Sequence, residues 1–370
     1  MAKTINAKFN ILSGLGIILV VGFHSGFIFL PWFSNPFHMP LFMFISGYFF
    51  KMQKFNVFFY KKIKHLIVPF LGWNLFYGLV MTGLVTIGLT RMEHAELSLT
   101  SLLWDPFTYS HPFVFNGPSW FVGTLFLVQL LYYLLKKMTN DNITAITIAA
   151  VIFYLISLYM AFHGWSQWGN QAGVAIERTL YCLIYYHLGS VYRSSLEKFD
   201  RFSVNIVVLL FVLNGCILSF VTPNISNLTV TMEFPVKKYW LPFVVSCSGI
   251  WLYLQIADLL KDKIPVSSVL GYIGNHTFAI MMHHQFFFWL FNSGLLVLKI
   301  LGIFPLHTFD YETYMTYIYF HISAYPPIND FLYLFVGVVG PVTCCWIYEC
   351  FFQRKIETLN SLLLKYISRS

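Results

Sequence analysis

Apolar runs of roughly helix length follow one another along nearly the whole chain, separated by short polar or basic stretches. A bilayer core of about 30 Å needs about 20 apolar residues in a helix. Runs of that kind predict helices near 11–30, 36–50, 66–90, 118–135, 142–162, 174–192, 203–222, 240–260, 268–298 and 331–351. The fold class expected is therefore all-α, a polytopic integral membrane protein with about ten transmembrane helices. The second run is short enough to cross only partly, and the ninth is long enough to tilt. Residues 101–115 are apolar but too few to span, which predicts a re-entrant or interfacial segment. With no internal repeat and no linker, 1–370 is read as a single domain.

Composition agrees with burial in lipid. Only 10% of residues are charged against 58% apolar, whereas soluble domains carry about 25% charged residues. The net charge of +8 is laid out by topology and forms no single basic face, which argues against nucleic acid. Alternating the loops puts 18 of the 23 basic residues on one side, leaving Arg91, Lys237, Lys238, Lys299 and Arg178. That bias predicts cytoplasmic N and C termini and an even helix count. The first run has no small-residue cleavage site after it, so no cleavable signal is expected. The six cysteines lie in or beside apolar runs without metal-ligand spacing, and no metal is predicted.

Ionisable groups inside a membrane are costly and point to function. His24 in helix 1, the Glu177-Arg178 pair in helix 6 and His283-His284 in helix 9 are of this kind. With helix 1 beginning at residue 11, His24 lies 13 residues in, about 20 Å from the basic side. Neighbouring positions on a helix face about 100° apart, so only one of His283 and His284 can be central. His38 and Trp120, at the outer ends of helices 2 and 4, fall at a similar level, and convergence of polar groups marks a candidate site. On the outer side, His94, His111, His163, His307 and His321 read as loop-bridging residues, and the sequons at Asn224 and Asn227 carry no functional weight. A basic segment, Lys51 to His65, holds Lys61, Lys62, Lys64 and His65 before Pro69. It reads either as a loop touching anionic lipid or as a phosphate-binding mouth for a nucleotide-containing donor.

Five stretches in order, ILSGLGIILVVGFHS, FHMPLFMFISGYFF, KKIKHLIVPF, GPSWFVGTLF and IGNHTFAIMMHH, resemble the acyltransferase 3 family, bacterial-type membrane O-acyltransferases acting on surface glycans. The resemblance runs from Phe9 to about Phe351. It implies that His24 is the catalytic histidine and that His284 matches the family's late-helix histidine. It further implies acyl-CoA as donor (acetyl-CoA or succinyl-CoA), its phosphates held by Lys61, Lys62, Lys64 and His65. The acceptor implied is a glycan, met by His38, Trp120 and the Tyr-rich outer loop 303–330. Partners would be membrane lipids and other polysaccharide-assembly proteins, in a bacterial inner membrane. Two departures stand out. Ser13 occupies a position where the family usually has Arg or Lys, with Lys8 and Lys64 as candidate compensating charges, and Lys62 and His65 replace paired arginines.

On this reading His24 is the base or a transient acyl carrier, Glu177 orients it, and Arg178 or His284 stabilises the oxyanion. Two other classes stay open: a transporter of a glycan or lipid-linked sugar, and an inactive scaffold of a polysaccharide assembly. His24 separates them, because a transporter would lose export where an enzyme loses acyl modification.

Overall fold

A computed structural model describes residues 6–26, 37–92, 96–108, 113–165, 171–221, 241–303, 309–317 and 328–353. Among them the chain is helical, with no strand. The order is α1 (Ala7–Ser25), α2 (His38–Tyr48), α3 (Phe55–Lys62), α4 (Val68–Thr86), α5 (Leu99–Leu103), α6 (Asp105–Thr108), α7 (Trp120–Met138), α8 (Ile143–Phe162), α9 (Gln171–Val191), α10 (Val204–Val221), α11 (Leu241–Leu260), α12 (Ile264–Asn275), α13 (Thr277–Ile300), α14 (Tyr311–Thr316) and α15 (Ile328–Tyr348). Among the described residues six stretches are long and apolar enough to cross a membrane: Ala7–Ser25, Phe55–Thr86, Val114–Met138, Ile143–Phe162, Pro242–Leu260 and Asp330–Phe351. The long helices α9 and α13 fall outside that set. They carry Glu177-Arg178 and His283-His284-Gln285, whose polar side chains lower their mean hydropathy.

Three local features differ from the sequence expectation. Helix 1 runs from Ala7 to a left-handed cap at Gly26 (φ 77°), four residues earlier than its apolar run. Hydropathy continues through Phe27–Leu30 and hides the stop, but glycine adopts that conformation without steric cost. His24 therefore sits in the last turn of α1, about 26 Å from Ala7. The ninth run is broken at His276 into α12 and α13. The basic segment is helical from Phe55 and joins α4 through a π-helical turn at Ile63–Ile67. Pro69 follows that turn and has no N–H for the usual bond four residues back, which the wider turn accommodates.

α1 is the central helix, packed against α2, α11, α12, α13 and α15. Two crossings bring backbone against backbone. A Cβ built on Gly14 would lie 2.2 Å from the Leu270 carbonyl oxygen, and one on Gly274 1.9 Å from that of Asn10, which sets α1 against α12. A Cβ on Gly47 would lie 1.8 Å from the Tyr186 carbonyl oxygen and one on Gly189 1.9 Å from that of Phe44, which sets α2 against α9. Such approach is how helices pack where lipid is as apolar as leucine. The short helix α6 packs on α7, where a Cβ on Gly123 would meet the Pro106 carbonyl at 2.8 Å.

One end of the bundle gathers the basic residues into a polar clamp. Lys8 on α1 pairs with Asp200 (3.0 Å) and Asp258 (3.6 Å). Asp200 also accepts from Tyr192 (2.5 Å) and Gln255 (2.6 Å). Tyr48 donates to Glu197 at 2.7 Å, and Arg193 donates to the Tyr48 carbonyl at 3.1 Å. At the opposite end Arg91 pairs with Glu312 at 2.6 Å, and Lys299 donates to the Phe309 carbonyl at 3.1 Å. Lys237, Lys238, Asn224, Asn227, His94, His111, His307 and His321 lie outside the described residues, as does most of loop 303–330. His163 caps α8 against the Tyr159 ring, centroids 4.2 Å apart.

Replacing Gly47 or Gly189 by alanine forces the α2–α9 crossing apart and is expected to cost at least about 3 kcal/mol, the upper range for overpacking. Alanine at Gly72 or Gly83, where nothing lies within 4 Å, is expected to be neutral or slightly stabilising. Thermal unfolding of the four detergent-purified variants checks this.

Candidate active site

A cavity of about 290 Å³ follows α1 from Ser13 to His24, a distance of about 16 Å along the helix axis. α2, the first turn of α7 and the start of α13 supply the other walls, and Leu66 of the π-helical turn lies on it as well. Its polarity is graded. Hydroxyls of Ser13, Ser46 and Thr277 line the end nearer the basic clamp, and His24, His38 and Trp120 line the other. Between them lie apolar groups such as Ile17, Val20, Phe42 and Met281.

His24 is joined to His284 across the α1–α13 contact, His284 Nε2 to His24 Nδ1 at 3.0 Å with rings 5.0 Å apart and nearly parallel. His284 is fully buried, and its Nδ1 lies 2.8 Å from the Ile280 carbonyl. A carbonyl oxygen only accepts, so Nδ1 of His284 carries hydrogen. In a neutral imidazole Nε2 is then the acceptor, and His24 donates to it through Nδ1. The basic lone pair of His24 is thereby assigned to Nε2. His24 lines the cavity and His284 does not, so the second ring orients the first from behind. The last-turn position of His24 adds the partial negative charge of the α1 C-terminus, which favours a cation there.

His283 faces elsewhere. Its Nδ1 meets the Tyr77 hydroxyl at 2.6 Å, and its ring stands edge-on to Trp73 at 4.3 Å, on α4. Glu177 and Arg178 on α9 are 4% and 3% exposed. The Arg178 guanidinium lies 4.3 Å over the Trp120 ring, and neither residue lines the cavity. Trp120 thus has a cation on one side and the cavity on another. Phe23 separates the two cavity imidazoles, 5.5 Å from His24 and 5.9 Å from His38.

The basic residues are not equivalent. Lys62 is half-buried, 5.7 Å from the Phe58 ring, and lies one turn before Leu66. Lys61 is exposed and donates to Gln53 at 2.6 Å, Lys64 lies 5.8 Å from Tyr60, and His65 is exposed. Lys8, paired with two aspartates, is committed to the clamp. Ser13 donates to the Phe9 carbonyl at 2.9 Å.

Composition and spacing did not flag a chain of buried amides that holds the Trp120 end. Asn74 donates to the Ser101 carbonyl at 3.1 Å, Asn116 donates to Asn74 at 3.3 Å, and Gln285 accepts from the Gly117 N–H at 3.0 Å. Gln285 directly follows His284, so one helix fixes both the relay and the turn that presents Trp120. The available signal was two amide side chains, Asn74 and Gln285, within apolar runs and a third, Asn116, between two of them.

A family model described as an acyltransferase domain, Acyl_transf_3, matches residues 6–350. The chain belongs to the acyltransferase 3 family. This acyltransferase is a multi-pass membrane protein, and the family read from its five motifs is the one the model identifies. No curated protein and no solved structure matches it.

In membrane preparations of the acyltransferase, His284→Gln is expected to lower kcat about 100-fold, the lower range for a positioned proton-transfer group, with the donor KM unchanged. His283→Gln is expected to stay within a few-fold of wild type. Initial rates over a donor series, with both variants matched for elution in detergent, check the contrast.

Proposed function

We propose that the chain transfers an acyl group from cytoplasmic acyl-CoA to a hydroxyl of a cell-surface or exported polysaccharide in a bacterial inner membrane. It does so as one domain of about ten membrane helices with both termini cytoplasmic. The observation that carries the reading is the cavity that runs along α1 from Ser13 to the oriented His24, with Leu66, one turn past Lys62, on its wall.

The donor's phosphates meet Lys62 first, with Lys61 and Lys64 adding exposed positive charge around the mouth and His65 an exposed ring N–H donor. Lysine offers a point charge, and one half-buried contact with its exposed neighbours makes donor binding sensitive to salt. The thioester arm then follows α1, its amide groups facing the Ser13, Ser46 and Thr277 hydroxyls. At the other end the acceptor sugar lies against Trp120, whose ring Arg178 holds in place.

In the chemical step Nε2 of His24 takes the proton of the acceptor hydroxyl as its oxygen attacks the thioester carbonyl. His284 keeps the ring aligned through Nδ1, and the α1 C-terminus stabilises the imidazolium. His38, the second imidazole on the cavity wall, donates to the oxyanion of the tetrahedral intermediate. Collapse breaks the carbon–sulfur bond, and the imidazolium returns its proton to the departing thiolate. Ester and free thiol are formed, and His24 ends neutral.

His24→Ala is expected to abolish acylation of the surface polysaccharide while leaving its export intact. Mass spectrometry of the isolated glycan, with export measured as total surface sugar, checks both. Loss of export with the acyl content of the remaining glycan unchanged would favour a transporter. Lys62→Ala is expected to raise the donor KM about 10-fold, a single charge-assisted contact, with a weaker salt dependence than wild type.

A further inference from the structure

The acyl group itself is constrained by what the cavity wall lacks. Among the described residues the lining contains no lysine, arginine, aspartate or glutamate from Ser13 to Trp120. Arg178 lies over the ring of the lining residue Trp120 but is not itself part of the lining. The clamp cations Lys8 and Arg193 belong to the opposite end of the bundle. The lining residues at the His24 end are Phe23, His38 and Trp120, with Val20 one turn before His24 on α1. His38 offers at most one hydrogen bond there and, while neutral, no countercharge.

From this, and resting on the acyl-transfer reading of the same cavity, we infer that the enzyme transfers uncharged acyl groups and rejects the half-thioester of a dicarboxylic acid. A free carboxylate on the acyl chain must give up its water when it enters the bundle. Without a paired cation that cost is not recovered. The penalty for an acidic side chain at mid-membrane corresponds to a discrimination on the order of 100-fold. An alkyl chain of the same length meets the opposite environment, since aliphatic and aromatic groups surround it. Of the two acyl groups that the family resemblance allows, acetyl is the one this cavity accepts.

Size and charge are separated by comparing succinyl-CoA with butyryl-CoA, which have the same carbon-chain length and the same nucleotide handle. Permeabilised cells producing the protein receive radiolabelled acetyl-, butyryl- or succinyl-CoA. Label is then counted in the isolated polysaccharide fraction, with cells producing His24→Ala as background. Acetyl and butyryl transfer, with butyryl exceeding succinyl about 100-fold, is the expected result. Succinyl transfer within 10-fold of butyryl would overturn the inference and leave the acyl-transfer reading standing. Failure of butyryl and succinyl together, with acetyl transferred, would also overturn it by showing that length decides. If no donor labels the glycan above background, the acyl-transfer reading falls and this inference falls with it.

Discussion

Where lipid surrounds a bundle, helices gain little by hiding apolar surface from one another, and association rests on close packing and on hydrogen bonds between helices. α1 depends on both. Gly14 and Gly274 let its backbone touch that of α12, a contact no larger residue permits. His24 then reaches His284 on the helix that continues from α12 past His276. The same crossing leaves the length of α1 between Ser13 and His24 open to the cavity. Position of the central helix, alignment of the histidines and shape of the cavity thus follow from a contact between two glycine-bearing backbones.

Electrostatics inside the bundle are arranged with few charges. His24 is supported from behind by the imidazole of His284, whose own orientation is set by the Ile280 carbonyl. Backbone groups carry no net charge, so they orient the ring without the desolvation cost of a buried carboxylate. Among the described residues the buried formal charges, Glu177 and Arg178, lie off the cavity wall, and at the basic end Lys8 is paired with Asp200 and Asp258. A substrate entering the cavity meets hydroxyls, imidazoles and aromatic rings.

The helices were legible because each has to be apolar over a bilayer's thickness, and most helix ends fall within a few residues of their hydrophobic runs. Gly26 and His276 escaped that reading because a helix stop or break inside a continuous apolar run leaves no trace in hydropathy. The π-helical turn was concealed for a related reason, since Pro69 marks a boundary in the sequence but the helix passes through it. His24 and His284 stood out because imidazoles are rare in membrane helices. Which of the adjacent histidines is central follows from helix phase, and that phase is fixed by the crossing glycines, whose partners are distant in sequence. Asn74, Asn116 and Gln285 were overlooked because a single amide beside or within an apolar run looks incidental until its partners from other helices and turns are known. Lys8 was legible as a charge. Its commitment to Asp200 and Asp258 required knowing that residues far apart in the chain end at one level.

The clamp around Lys8 also bears on how the chain is assembled. α1 leaves the ribosome first, yet apart from α2 its neighbours, α11, α12, α13 and α15, are all encoded beyond residue 240. Until Asp200 and then Asp258 have been made, Lys8 has neither of its carboxylate partners, and the glycine face at Gly14 has nothing to touch. Most contacts of α1 therefore form only with segments made after residue 240. Its contacts with these later helices complete the wall of the cavity, so that the His24–His284 pair forms only once the segment beyond residue 276 has been made.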